Sequence, residues 1–447
     1  MEEKAHIITS RAHRLEPVTQ NFGFTEAMLP AAGPLQSYHR HAWEVYSHLG
    51  IPTPAEEAWR RTSLQDLPAA DFRLTQDTAG TQNLPSIPAG LLHTLNADQL
   101  AGQLALTPRE AQGYLDPALE KTGVVFCDLR TAEQTHPDLV QRLAGEIIRP
   151  EEGKFAALAG AFSETGAVVY IPPHLKIDRP LHSVLWGPGE HLAHVTHLMV
   201  FLDEGASATF IFEEASPENV KEAMHVGILE VRVATEASLR LIELQSWGHN
   251  VWNFNHERIQ AERNASVDWI FGAVGSHLTK NFSELNLVEE GATGRMTGFY
   301  FADGTQHFDH DTQQNHRAPH TTSDLLFKGA LKGHSRSIWQ GMIYVAPGAE
   351  KADGYQANRN LVLSHDARAD SIPGLEILAD DVRCTHGATV GQLDEEPLFY
   401  LLARGIPRPD AERLLVEGFF DPVLQRIPDL GVRNRLQLVI QEKMDRS

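Results

Sequence analysis

A short turn phrase that recurs through the middle of the chain constrains the fold more than any other feature of the sequence. Its clear copies are Gly205-Ala206-Ser207, Glu236-Ala237-Ser238, Asn264-Ala265-Ser266 and Gly291-Ala292-Thr293. Its looser copies are Gly333-His334-Ser335 and Asp366-Ala367-Arg368. The middle residues of successive copies are 31, 28, 27, 42 and 33 positions apart. Self-similarity at about 30 residues predicts a stack of similar structural units.

The segments between these turns alternate apolar and polar residues, as β-strands do. Leu229, Val231 and Val233 show the period of two. A propeller blade needs four strands in about 40–45 residues, whereas each unit here has room for two or three strands and a turn. Residues 151–392 are therefore predicted to form a parallel β-helix, in which one coil stacks on the next. A β-sandwich with similar turns is the alternative.

The two ends of the chain have a different pattern. Residues 1–150 read mostly as helices and loops, so we predict a helical N-terminal domain. Residues 393–447 are predicted to form a helical C-terminal domain, with helices over 395–404, from about 409, and over 433–443. These helices cap the open end of the solenoid, lie against it, or offer a face to a partner.

The charge of the chain excludes two classes of partner. With 38 basic and 59 acidic residues the formal net charge is -21, whereas nucleic acids and anionic membranes attract a surplus of Lys and Arg. No apolar stretch approaches the length of a membrane span. The two cysteines, Cys127 and Cys384, cannot form a disulfide framework, so a cytoplasmic location is expected. They also exclude a resident cluster held by four thiolates of this chain.

Familiar catalytic signatures are missing from the sequence. Gly153-Lys154 is followed by Phe155, which breaks the P-loop pattern, and neither H-E-x-x-H nor G-x-S-x-G occurs. The 23 histidines offer more chemistry. The segment HFDHDTQQNHRAPH holds His310 and His320 as candidate metal ligands, although its histidines could equally belong to a polar interface.

A thiol and an imidazole stand two residues apart near the end of the predicted β-helix. Alternation along a strand would place Cys384 and His386 of the run Cys384-Thr385-His386-Gly387 on one face, where both could approach one metal ion or sulfur species. A Cys–His dyad would lack a third, orienting group. The alternative is a buried cysteine that behaves as a small apolar residue, and that is our interpretation of Cys127.

The C-terminal part of the core resembles a known family. The residues that carry the resemblance are Tyr355-Gln356-Ala357-Asn358-Arg359-Asn360-Leu361, Ala369-Asp370-Ser371, Leu375-Glu376-Ile377, the run DDVRCTHGATVG over 380–391, HTTSDLL over 320–326 and Leu398-Phe399-Tyr400-Leu401. This signature resembles the SufB/SufD family of iron–sulfur cluster assembly proteins over about residues 135–425. The Cys-x-His-Gly-Ala-Thr-Val-Gly form is most similar to the SufD subunit.

The resemblance implies a fold and a set of partners. It implies a right-handed parallel β-helix between helical domains, paired edge to edge with SufB in a complex with two copies of the ATPase SufC. The ATPase would dock on the C-terminal helices, where we expect Phe399, Phe419 and Phe420 to make the contact. ATP would act only through SufC. An isolated chain could form a homodimer through the same edges.

The resemblance also implies the site residues. Cluster assembly would occur at the SufB interface, with His386 as the histidine that approaches a SufB cysteine and Cys384 as its neighbour. The chain would then be a non-catalytic scaffold that holds no permanent cofactor, and His386 would bind iron transiently. Two alternatives stay open: a structural paralogue that stabilises SufB without touching the cluster, and a β-helix enzyme that acts on polysaccharides.

Overall fold

A computed structural model describes residues 21–75, 86–92 and 99–445. Residues 1–20, 76–85, 93–98 and 446–447 lie outside the described part, so the predicted terminal domains are covered only in part. The strands, in chain order, are β1 (Arg73–Leu74), β2 (Gly102–Leu106), β3 (Ala111–Leu115), β4 (Val125–Asp128), β5 (Ala167–Ile171), β6 (Leu181–Trp186), β7 (Leu192–Leu202), β8 (Ser207–Ala215), β9 (Ala223–Val233), β10 (Ser238–Ser246), β11 (Val251–Ala261), β12 (Ser266–Ala273), β13 (Leu278–Leu287), β14 (Thr293–Ala302), β15 (His307–His316), β16 (Thr322–Leu331), β17 (Arg336–Val345), β18 (Asp353–Val362), β19 (Arg368–Ile377) and β20 (Arg383–Gly391).

The strands form two long sheets that face each other. The first runs in the order β19-β17-β15-β13-β11-β9-β7-β5-β4, with β1 beside β7, and the second runs β20-β18-β16-β14-β12-β10-β8-β6-β2-β3. From β5 to β20 every described pairing is parallel, and consecutive strands alternate between the sheets. Each coil therefore uses one strand of each sheet, which gives about eight coils. The predicted parallel β-helix is confirmed.

The recurring turn phrase marks the start of four strands in the second sheet. Its last residue is the first residue of β8, β10, β12 and β14, and these residues pair in register. The first residue of the phrase adopts a left-handed conformation, with φ of +64° at Gly205 and +55° at Asn264, which Gly and Asn tolerate best. The middle alanines fill the corner and are fully buried.

The structure corrects the looser copies of this phrase. The next member of the series is His320-Thr321-Thr322, which precedes β16, and His320 has the same left-handed φ of +58°. The phrases around His334 and Ala367 precede β17 and β19 instead, which lie in the first sheet. The interval of 42 therefore arose from a change between two rows of turns and not from a longer coil.

The N-terminal region combines helices and strands. Its helices are α1 (Gln36–His48), α2 (Ala89–Leu92), α3 (Pro117–Glu120), α4 (Leu129–Thr135), α5 (Pro137–Leu143) and α6 (Lys154–Phe162). β2 and β4 join the two sheets of the solenoid, so the prediction of a helical domain up to residue 150 missed these strands. The fully buried α6 packs on the outer face of the first sheet, where the ring of Phe155 stacks on Phe254 with 3.8 Å between centroids.

The C-terminal helices lie along the outer face of the second sheet. They are α7 (Glu395–Ala403), α8 (Arg408–Leu424) and α9 (Leu430–Asp445), close to the predicted segments. Apolar residues of α8 and α9 form one buried cluster with Phe299 and Phe301 of β14. Lys443 closes this contact, because its buried Nζ lies 2.5 Å from Asp303 Oδ1. The sequence left three arrangements open for these helices, and the structure shows the one in which they pack against the side of the solenoid.

Candidate functional site

The last coil of the solenoid differs from the coils before it. β20 pairs with β18 and β19 pairs with β17, and in the part of the chain that the structure describes no further strand covers their other edges. Most side chains of these two strands are exposed or half-buried, whereas earlier strands are largely buried. Exposed apolar residues, including Leu375, Ile377 and Val390, lie here. An open strand edge with exposed apolar side chains is able to pair with a strand of another chain.

Cys384 and His386 both lie on β20. The register places Cys384 beside Gly354 and His386 beside Gln356 of β18, and alternation turns both side chains toward the solenoid interior. His386 is exposed because no coil follows it, and Cys384 is half-buried. Burial raises the pKa of the Cys384 thiol, although a hydrogen bond from the Gly354 backbone acts in the opposite direction. The thiol is therefore protonated at neutral pH.

A glycine opens space beneath the Cys384 sulfur. A Cβ on Gly354 would lie 3.2 Å from Cys384 Sγ and 3.2 Å from His316 Nε2, so the absent side chain leaves thiol and imidazole facing a common gap. Thr321 Oγ1 donates to the carbonyl of Ala318, and it therefore accepts from His316 Nδ1. The unprotonated His316 Nε2 then accepts from Ser323 Oγ at 2.8 Å.

The structure does not bring His310 and His320 together. His310 of β15 points into the interior of the solenoid, where it lies among the rings of Phe271, Tyr300 and Phe327. Burial lowers the pKa of His310 to about 3. His320 is exposed on the turn before β16, where it supplies the left-handed first residue of the turn. Across residues 21–75, 86–92 and 99–445, no group of three or more His, Cys, Asp or Glu side chains is arranged to hold a metal ion.

The three phenylalanines predicted to contact an ATPase have different environments. Phe399 of α7 is 72% exposed, and its neighbour Tyr400 is exposed as well. Phe419 is half-buried, with Lys328 Nζ 4.6 Å from the centre of its ring. Phe420 is fully buried against Phe299, with 5.7 Å between ring centres. The prediction that Phe420 contacts a partner is therefore wrong, because its ring is part of the protein's own core.

Cys127 lies in an apolar environment and not at the candidate site. It lies half-buried on β4 beside an apolar cluster that includes Val125 and Val168. Burial raises the pKa of its thiol to about 12, so it is unreactive at neutral pH. None of the helices described is long and apolar enough to cross a membrane.

Comparison with known proteins places the chain in a family. A sequence model of the "SUF system FeS cluster assembly, SufBD core domain" matches residues 186–419, which contain most of the solenoid and the strand with Cys384 and His386. A second, for the "SufBD protein N-terminal region", matches residues 28–182. The chain belongs to the SufBD family.

Named members of the SufBD family agree with this assignment. An iron-sulfur cluster assembly SufBD family protein of Staphylococcus aureus is 30% identical over 317 residues, which cover 70% of this chain and 68% of that protein. A SufBD family protein of Staphylococcus haemolyticus is 29% identical over 317 residues, which again cover 70% of this chain and 68% of that protein. The match to the N-terminal region ends at residue 182 and the match to the core domain begins at residue 186, so the two family regions meet within β6.

Proposed function

We propose that this SufBD protein is the SufD-type, non-catalytic scaffold subunit of a SUF complex in the cytoplasm. It pairs with a SufB subunit through the last coil of its solenoid and presents His386 to the cluster that forms between them. The observation that supports this most is the open coil itself, because the strand that carries His386 has a largely exposed surface and one edge that pairs with no strand among the residues described.

The last coil suits pairing with another solenoid. Both β19 and β20 offer backbone donors and acceptors along one edge, and addition of a strand would satisfy them. The exposed side chains of Leu375, Ile377 and Val390 would be buried at the same time. A second copy of this chain would occupy the same edge when SufB is absent, and the isolated protein would then form a homodimer.

The chemistry at His386 suits a cluster that is built and then released. Imidazole replaces thiolate as an iron ligand in some clusters, and a neutral ligand is displaced more easily. SufB supplies the main thiolate, while Cys384 stays a thiol at rest because burial raises its pKa. This chain holds no permanent cofactor, and ATP acts only through SufC. The net charge of -21 leaves nucleic acids and anionic membranes outside its partners.

The SufC contact is proposed on α7 and the exposed edge of α8. Phe399 and Tyr400 present adjacent aromatic rings to solvent, and aromatic residues are the common anchors of protein interfaces. Phe419 adds part of its ring and packs against Lys328. Phe420 supports this surface from inside the core.

Cluster yield in the purified complex tests the role of His386. The chain is co-expressed with SufB and SufC, and iron and sulfide are measured in complexes that carry His386→Ala or the control His365→Ala, whose ring is 99% exposed on a turn. We expect an intact complex with several-fold less cluster for His386→Ala only. Unchanged yield in that variant, with loss of yield when the whole subunit is removed, would support the structural paralogue instead.

A second experiment tests the edge. Val390→Arg places a charge on β20, whereas Tyr114→Arg places one on β3 at the other end of the second sheet, and both parent side chains are exposed. Light scattering after size-exclusion chromatography should show loss of the SufB complex for Val390→Arg and an intact complex for Tyr114→Arg. Equal retention in both variants would place the SufB contact elsewhere.

A further inference from the structure

Three glutamates lie inside the solenoid. Glu214 of β8, Glu243 of β10 and Glu257 of β11 point inward, and each is at most 3% exposed. The burial of a carboxylate without a cation is unfavourable, because the charge loses its hydration. Because they lie far from His386 along the coils, the proposed role of the last coil does not account for them.

The contacts of these carboxyl groups favour a proton on one of them. Ser283 Oγ donates to Glu257 Oε2 at 2.7 Å, and Trp269 Nε1 donates to Glu243 Oε2 at 3.3 Å. Glu243 and Glu257 line the same small cavity. Burial and the neighbouring carboxyl groups raise the pKa of Glu243, and a neutral carboxyl group can donate a hydrogen bond where a carboxylate can only accept.

A small cavity lies between the three side chains. It has a volume of about 10 Å³ and is lined by Glu214, Glu243, Asn255 and Glu257 together with apolar residues. Gly227 keeps it open, because a Cβ there would lie 2.9 Å from Asn255 Oδ1. This volume is close to the space that one water molecule needs.

Two polar atoms at the cavity have no partner. Glu214 Oε2 and Asn255 Oδ1 are buried acceptors without a hydrogen bond among the residues that the structure describes, and an unpaired buried acceptor destabilises the folded protein. What is missing is a donor, and a water molecule has two.

We propose that this cavity binds one water molecule, which donates to Glu214 and Asn255, and that Glu243 carries the proton it shares with Glu257. The site is a store of bound protons in the middle of the solenoid. Its ligand is water and not a metal ion, since the residues described contain no side-chain group arranged to hold one.

A titratable group that does not line the cavity, His225 of β9, lies close to Glu214. Its Nε2 lies 3.7 Å from Glu214 Oε1, but Nδ1 donates to Asn253 Oδ1 and Nε2 accepts from Thr196 Oγ1. Burial lowers the pKa of His225 to about 4. The imidazole is therefore neutral and does not balance a carboxylate.

The site makes the stability of the protein depend on pH. Burial raises the pKa of Glu214, Glu243 and Glu257, so protons held in the folded protein are released by the unfolded chain at neutral pH. Unfolding is then favoured as the pH rises above the ordinary glutamate range. Below the ordinary glutamate range both states are protonated, so the contribution of these groups to stability is then full and no longer changes with pH.

Infrared spectroscopy of the full chain tests the proton. The carbonyl band of protonated carboxyl groups should persist at pH 8 in the wild type, lose intensity in Glu243→Gln and stay unchanged in Glu290→Gln, a surface control on an exposed turn. The decline of stability between pH 6 and pH 9 should be shallower in Glu243→Gln alone. Absence of the band in the wild type, or equal bands in both variants, would overturn the proposal.

A second variant and a diffraction experiment complete the test. Should Glu243→Gln not fold, Glu257→Gln removes the other member of the pair, and the wild-type spectrum at pH 8 still decides whether a proton is bound. A high-resolution crystal structure should show one water oxygen within hydrogen-bond distance of Glu214 Oε2 and Asn255 Oδ1. An empty cavity or an anomalous metal signal there would refute the water site.

Discussion

Phe420 and Phe399 were both predicted to contact the ATPase, but their burial differs, and this difference gives a sharp prediction. Replacement of Phe420 by alanine removes a fully buried ring from the contact between α8 and β14. A buried phenylalanine removes about 150 Å² or more from water, which at about 25 cal/mol per Å² is worth about 4 kcal/mol. The edge-to-face pair with Phe299 adds about 1 kcal/mol. We therefore expect Phe420→Ala to lower the free energy of unfolding by about 3–5 kcal/mol.

The matched control is Phe399→Ala. That ring is 72% exposed on α7, so its truncation should change the free energy of unfolding by less than about 0.5 kcal/mol. In the proposed complex it should nevertheless weaken SufC binding, whereas Phe420→Ala should not do so while the protein remains folded.

Urea unfolding followed by fluorescence measures the first effect, and isothermal titration calorimetry with SufC measures the second. Limited proteolysis adds a local readout, because loosened C-terminal helices should be cut before the solenoid. The reasoning is refuted if Phe420→Ala unfolds at the wild-type midpoint, or if Phe399→Ala is the more destabilised of the two.

Two further predictions rest on burial. Alkylation of Cys384 at pH 7, followed by mass spectrometry, should be slower than that of a free cysteine, because burial raises the pKa of its thiol. The rate should increase only at a pH above the ordinary thiol pKa. Cys127 should react more slowly still, and equal rates at the two cysteines would contradict both environments. Gly329→Ala should destabilise the protein by more than about 2 kcal/mol in thermal unfolding, since its Cβ would lie 2.1 Å from the ring of Tyr300, whereas Gly304→Asn, at a left-handed and open position, should be nearly neutral.

The solenoid was predictable because its signals are local. A left-handed turn residue, a buried alanine and a strand of alternating residues recur in the four coils that carry the clear turn phrase, and each is visible in the sequence without knowledge of the rest. The three C-terminal helices were equally accessible from spacing and from Gly405. The signature around Cys384 and His386 located the candidate site, and the structure adds that this strand is the last one.

Positions within the turns and sheets were harder to assign. The chain has two rows of turns, and the phrase around His334 belongs to the row that serves the first sheet. The strands β2 and β4 were missed because they are short and separated from the repeat in sequence. Their assignment to the sheets depends on partners far along the chain, such as β6 for β2, which no local pattern specifies.

The coiled architecture, the helical ends and the segment that carries His386 can be predicted from local residue patterns, because each follows from periodicity or from a contiguous motif. Which face of each element is interior depends on how the folded elements pack. A helical stripe can be satisfied by Phe419 or by Phe420, and the packing of α8 on β14 selects Phe420. Alternation in β15 separates two faces that are both polar, and only closure of the coil encloses His310. The buried glutamates read as ordinary charged residues until the two sheets face each other, because burial is a property of distant partners and not of neighbours in sequence.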